Sequence, residues 1–130
     1  MEYMAKNMLI CVPKNLKEGF DLLNQKKYST VFPVCAFSYP VLRGLQFNVS
    51  RKVEMKWPEN LNVRSQDLEK IYHDAGQFYW FGVEDFMKQK KLFTENSGAI
   101  ILNELQVQDI DTENDWLLAE MKYKLFRGKE

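Results

Sequence analysis

From Lys14 to about Gln25 the chain sets Leu16, Phe20, Leu22 and Leu23 among Lys, Glu, Asp and Asn, and this helical run leads straight into β-branched and aromatic residues from Tyr28 to Phe37. That switch from helical to strand periodicity recurs along the chain, and it constrains the fold more than any other feature. Pro13 stands where a first-turn proline is tolerated. Pro33, which lacks a ladder donor, argues that the first strand lies at an edge or carries a bulge. Leu45 to Val49 and Lys52 to Trp57 alternate apolar with polar and read as a hairpin across Ser50-Arg51. Ser65 to about His73 reads as a short helix that Gly76 would end. Gln77 to Phe81 and Gly98 to Leu102 suit buried strands, with Val83 to Gln89 a helical turn between them. Thr112 and Asp115 have capping-box-like spacing ahead of a last helix, with Trp116, Leu117, Met121 and Leu125 on one broad face. The alternation predicts an α/β layer with a mixed sheet, as a single domain without repeats or linkers. The hairpin does not fit a simple doubly wound sheet. It reads as an arm that lies on the sheet or reaches into a partner subunit.

Composition narrows the function classes. The 130 residues carry 18 basic and 18 acidic side chains, so no global field draws in nucleic acid or an anionic membrane. An anionic ligand must then be held by local arginines and backbone groups. Cys11 and Cys35 are too few for a disulfide framework, show no metal-ligand spacing, and are expected to be reduced and buried. No apolar run approaches the roughly 18 residues of a membrane span. Met1 to Ile10 lacks the pattern of a secretory signal, so a cytoplasmic location is expected.

Two runs carry chemistry. Arg64 to Trp80 gathers a guanidinium, amides, a phenol, an imidazole and a carboxylate, and Asp109-Ile110-Asp111 follows about thirty residues later. In an extended segment Asp109 and Asp111 leave the same face of the backbone. That suits Mg²⁺, which takes one or two carboxylates plus substrate phosphate oxygens. The same position, just before a helix, also suits plain N-capping by Asp111 and Thr112. Arg64 at a helix start opposes the dipole and is a candidate for bidentate grip of a carboxylate. Arg43, after the proline-fixed bend of Ser38-Tyr-Pro-Val-Leu-Arg43, serves the same anion or is a solvated loop residue. Gln77 and Tyr79 are expected on one strand face, lining a sugar pocket, while Phe78 and Trp80 pack the core; a half-buried core phenol is the alternative for Tyr79. His73, the only histidine, is a capping or core residue or else a base.

Phe37-Ser-Tyr-Pro40, Trp57-Pro-Glu-Asn60, Arg64-Ser-Gln-Asp-Leu68, Tyr72-His-Asp-Ala-Gly-Gln-Phe-Tyr-Trp80 and Gln108-Asp-Ile-Asp-Thr112 occur in this order. The series resembles the C-terminal half of the acylneuraminate cytidylyltransferase family, most closely its pseudaminic acid branch, from about Pro13 to about Leu125. The resemblance implies part of a Rossmann-like nucleotide-diphospho-sugar transferase sandwich, with residues 45–74 as a dimerisation arm and a homodimer as the assembly. It implies a reaction of CTP with a nonulosonic acid to give the CMP-sugar and pyrophosphate, with Mg²⁺ as cofactor. Asp109 and Asp111 would hold the metal and Arg64 would grip sugar-acid groups. Arg43, Gln77 and Tyr79 would line the pocket, and Phe93 would reach toward the partner's site. No side chain stands out as a general base, which leaves a metal-bound water or hydroxide. The family's glycine-rich Pro-Ala-Arg-x-Gly-Ser-Lys loop, its base-recognising residues and its Thr-Ala-Pro segment do not occur here, and residues 1–12 do not match. The resemblance therefore implies a truncated half with an incomplete CTP site, inactive alone. A related enzyme for a different keto-acid sugar shares this logic. A non-catalytic association module using the arm is the alternative.

Overall fold

The computed structural model describes residues 11–128; the reading of Met1 to Ile10 lies outside them. The described residues divide into two compact units, one made of 11–35 with 74–128 and the other of Ala36–His73.

The first unit is built on a mixed sheet. Helix α1 (Pro13–Lys26) starts with proline in its first turn and stops at Lys27, whose φ of 54° is left-handed. Strand β1 (Thr30–Ala36) follows directly. Strand β6 (Ser97–Leu102) runs parallel to it, in register from Thr30↔Ser97 to Cys35↔Leu102. The two-residue strand β5 (Trp80–Phe81) pairs antiparallel at Thr30↔Phe81 and Val31↔Trp80. Helices α2 (Val83–Gln89) and α3 (Glu113–Arg127) complete the unit. Helix α1 packs on β6 and β5 through a face where Gly19 allows close approach. A Cβ on Gly19 would stand 3.1 Å from both Phe78 and Trp80 ring atoms. Trp80 Nε1 donates to the Leu16 carbonyl at 2.9 Å, tying the sheet to the helix. The core holds Cys35, Ala75, Ile100, Leu102 and Val107, with Leu22 and Phe78 against it. Each large aliphatic side chain buried there contributes about 1.5–3 kcal/mol.

The second unit has no residue among the buried hydrophobics. A 3-10 turn at Val41–Arg43 leads into the hairpin of β2 (Leu45–Phe47) and β3 (Val53–Met55), paired from Leu45↔Met55 to Phe47↔Val53. Asn48 Oδ1 accepts from the backbone of Ser50 and Lys52 at 3.0 Å each, which lets Arg51 take a positive φ of 57°. A second 3-10 turn, Pro58–Asn60, is fastened to the first by the Asn60 side chain donating to the Leu42 carbonyl at 3.1 Å. Phe37 N donates to Ile71 O at 3.0 Å, joining the unit's two ends. The short strand β4 (Tyr72–Asp74) carries the chain from this unit back into the first.

Four expectations are corrected. Ser65 to His73 is no helix: only a 3-10 turn at Ser65–Asp67 forms, and Leu68 is extended at φ −77°, ψ 146°. The backbone of Ile71 is committed to a strand-like bond with Phe37, which helical geometry cannot satisfy. Gly76, at φ 65°, serves a turn closed by its N–H on Asp74 Oδ1 instead of ending a helix. The strand at Gln77 to Phe81 shrinks to Trp80–Phe81, because the chain is still leaving that turn. Pro33 lies inside the sheet: β6 pairs along one side of β1, and Ala75 N donates to the Pro33 carbonyl on the other. A strand residue's N–H and C=O point the same way. The missing donor of Pro33 therefore faces Ala75 on the β4 side, where the bond from Ala75 N to the Pro33 carbonyl alone holds the position. Finally, Cys35 is buried as expected, but Cys11 is only half-buried.

Candidate substrate and metal site

After β6 the chain makes a 3-10 turn, Glu104–Gln106, capped by Asn103, and then runs extended into α3. Along that stretch Val107 and Ile110 are buried while Asp109 and Asp111 are exposed. Ile110 is the inward anchor, and the carboxylates on either side of it share the outward face. Among the described residues neither carboxylate takes a hydrogen bond or ion pair. Capping of α3 falls instead to Thr112 and Asp115, in a reciprocal capping box. Asp115 Oδ2 accepts from Thr112 N at 2.8 Å, the Thr112 hydroxyl at 2.7 Å and Asp111 N at 3.2 Å. These bonds, the Thr112 hydroxyl first, hold the Asp115 carboxyl below the ordinary aspartate range. The Asp109/Asp111 pair is thus left over from capping. Among the described residues no cluster of three or more His, Cys, Asp or Glu exists to form an all-protein cage. Two unengaged carboxylates fit Mg²⁺ completed by substrate oxygens and water.

In the same unit the rings of Tyr79 and Phe93 both lie against Phe32, at centroid distances of 5.4 and 5.9 Å. The structure thus brings together two residues singled out from the sequence, around a third that was missed. The signal for Phe32 was present in the strand alternation but looked like ordinary core. Phe93 is 76% exposed and forms the outer lip. The Tyr79 hydroxyl donates to Asp74 Oδ2. Burial, then the hydrogen bond to Asp74 and its charge, pushes the phenol up to about 12. Gln77 is buried with its amide nitrogen donating to the Gln106 carbonyl, and its Oε1 has no partner.

Arg43 and Arg64 belong to the second unit. Arg43 lines a cleft of about 520 Å³ with Phe37, Tyr39, Pro40, Ser65 and His73. The His73 ring lies 5.0 Å from that of Phe37. Tyr39 and Phe37, absent from the expected set, form much of the apolar wall. Arg64 precedes a 3-10 turn, so the dipole argument made for it lapses. Its Nε pairs with Asp67 Oδ2 at 2.8 Å. Both partners are well exposed, and such a pair is worth about 0–1 kcal/mol, little for an anionic ligand to displace.

No protein-family model matches the chain. It is 33% identical over 110 residues to pseudaminic acid cytidylyltransferases of two Campylobacter jejuni subsp. jejuni strains, covering 85% of this chain and 47% of each of them. It is 38% identical over 98 residues, 75% of this chain, to a Helicobacter pylori protein named as pseudaminic acid cytidylyltransferase and UDP-2,4-diacetamido-2,4,6-trideoxy-beta-L-altropyranose hydrolase, covering 19% of it. The chain therefore spans about half the length of the Campylobacter relatives it matches.

Proposed function

The chain is a homologue of the pseudaminic acid cytidylyltransferases across about half of their length, and we propose that it supplies the sugar-acid and metal half of such a reaction. CTP and a nonulosonic acid, pseudaminic or sialic, give the CMP-sugar and pyrophosphate. The anomeric hydroxyl oxygen bonds to the α-phosphorus, its proton passes to solvent, and the bond from that phosphorus to the pyrophosphate oxygen breaks. The observation that carries the reading is the outward pair Asp109 and Asp111, held over buried Ile110 and not used to cap α3. These two hold Mg²⁺, which when bound neutralises charge on phosphate oxygens. Arg64 and Arg43 grip the sugar-acid carboxylate as bidentate donors. Tyr79 and Phe93 present a ring shelf over Phe32, and Gln77 lines the sugar pocket beside it. No Pro-Ala-Arg-x-Gly-Ser-Lys loop occurs in the sequence, so this chain alone turns over no CTP. A cytoplasmic setting belongs to the same proposal. Among the described residues no helix is long and apolar enough to cross a membrane.

Mn²⁺ in place of Mg²⁺ tests the reading, because its binding to the isolated chain is followed by water proton relaxation. Asp109→Asn and Asp111→Asn should each weaken it at least tenfold. Both positions are exposed, so the fold stays intact. Binding unchanged in both variants would sink the metal assignment, and pyrophosphate released by the chain alone would overturn the claim of inactivity.

A second reading, an association module, has its own observation. Leu45, Phe47, Val49 and Val53 of the hairpin are all exposed, Phe47 at 75%, on a unit without buried hydrophobics. Exposed apolar clusters mark interaction surfaces, and the same residues serve as the dimer arm under the first reading. Light scattering on Phe47→Glu separates an arm from bare surface: a dimer should become a monomer.

A further inference from the structure

Strand β4 ends on Asp74, whose carboxylate closes the turn that follows. Its Oδ1 accepts the Gly76 N–H at 2.7 Å, and Gly76 takes the left-handed φ of 65° that this closure needs. An aspartate folded back on the amide two residues ahead is a stiff local device. It fixes where the second oxygen points, and Oδ2 receives the Tyr79 hydroxyl proton. One exposed carboxylate thus ties a turn to a phenol whose ring lies on Phe32, with Phe93 against the same ring.

A phenol has one proton to give and lone pairs to receive with. The Tyr79 proton is committed to Asp74, so toward a ligand on the ring shelf its oxygen is an acceptor only. The phenol, pushed up to about 12, is neutral at ordinary pH and keeps that polarity. Asp74 also sets a fixed negative charge at this end of the shelf, where a ligand carboxylate meets repulsion and finds no donor. We propose that Asp74 is a positioning residue that orients a sugar acid on the Tyr79–Phe93 shelf, with a ligand hydroxyl or amide N–H donating to the Tyr79 oxygen and the ligand carboxylate turned away. This builds on the sugar-acid role proposed for Tyr79 and Phe93, and adds to it a direction of binding. Asp74→Asn inverts the polarity at constant shape. With its oxygen held by the Gly76 N–H, the new amide NH₂ faces the phenol, which must then accept and turn its own proton outward.

The probe is pseudaminic acid, titrated into the full chain and followed by saturation-transfer NMR with irradiation of the aromatic ring protons. Saturation should be strongest at the amide-bearing end of the sugar and weakest beside the carboxylate-bearing carbon. Asp74→Asn and Tyr79→Phe should each weaken binding about three- to tenfold, the range of one hydrogen bond. The double variant should lose no more than either alone, because the two residues act as one unit. The saturation pattern should even out or reverse in Asp74→Asn and persist in Tyr79→Phe, where the Asp74 charge remains. A residue that only stiffened the turn would lower affinity without moving that pattern. The Gly76 amide resonance reports whether the turn survives in Asp74→Asn; where it does not, full affinity in Tyr79→Phe still overturns the proposal. So do additive losses in the double variant, a pattern unmoved by Asp74→Asn with the turn intact, or strongest saturation beside the carboxylate in the unaltered chain. Binding indifferent to both variants defeats the orientation alone, whereas no binding by the unaltered chain defeats the sugar-acid role and the orientation together.

Discussion

Tyr79 shows how one contact sets a testable chemistry. Its phenol is pushed up to about 12 by burial and by Asp74, so the folded state favours the neutral ring. The stability this contributes is complete below the ordinary tyrosine value of about 10 and is lost as pH rises from there toward 12. Asp74→Asn should bring the phenol back toward 10, read as the alkaline absorbance difference between the chain and its Tyr79→Phe variant. No change would mean that burial alone sets the shift. Gly98 tests close packing in the same way. A Cβ there would overlap the Tyr28 ring, so Gly98→Ala should cost about 1–3 kcal/mol, seen as a lower urea midpoint. Single residues were unevenly legible. Tyr79 stood out by type and Phe93 only through the family resemblance. Asp74 and Phe32, their partners, did not, because a turn aspartate and a core phenylalanine look alike whether or not they support a site.

Among the elements, α3 is the one whose boundary and whose face had different fates. Its start followed from Thr112 and Asp115, and the reciprocal cap forms as that spacing implies. Thr112→Ala should cost about 1 kcal/mol of stability and raise the Asp115 carboxyl toward the ordinary range, since the Thr112 hydroxyl is the first cause of its depression. Because the folded carboxyl is depressed, this contribution is present above the unfolded value and lost as pH falls through the folded one. Carboxyl chemical shifts followed through acid titration check both signs, and an unmoved Asp115 resonance in the variant would refute the cap. The face is another matter: Trp116, Leu117, Met121 and Leu125 are exposed, and Ala119 makes the buried contact. Periodicity reports that a helix is amphipathic, not which partner its stripe meets. The missing helix at Ser65 to His73 has a related cause, because local propensity competes with a long-range bond, Phe37 N to Ile71 O, that no local window contains.

For the whole molecule, Cys35 is a reporter of the first unit. It is buried in the core cluster, and burial, then Glu104, raises its thiol while Lys122 opposes. Alkylation at mildly alkaline pH should be slow in native protein and accelerate with denaturant along the unfolding curve. Cys11, half-buried and raised by burial alone, should react before it. Fast native labelling of Cys35 would mean the core is open. At this scale the chain's own residues decided the α/β class of the fold, the hairpin, the α3 cap and the outward pair Asp109 and Asp111. All of these depend on neighbours within a few turns of chain. Only the tertiary structure decided the central position of β1 despite Pro33, the parallel register with β6, the aromatic trio around Phe32, and which apolar faces stay open. Those depend on contacts between residues tens of positions apart, where local pattern fixes the period of a surface but not the partner that buries it.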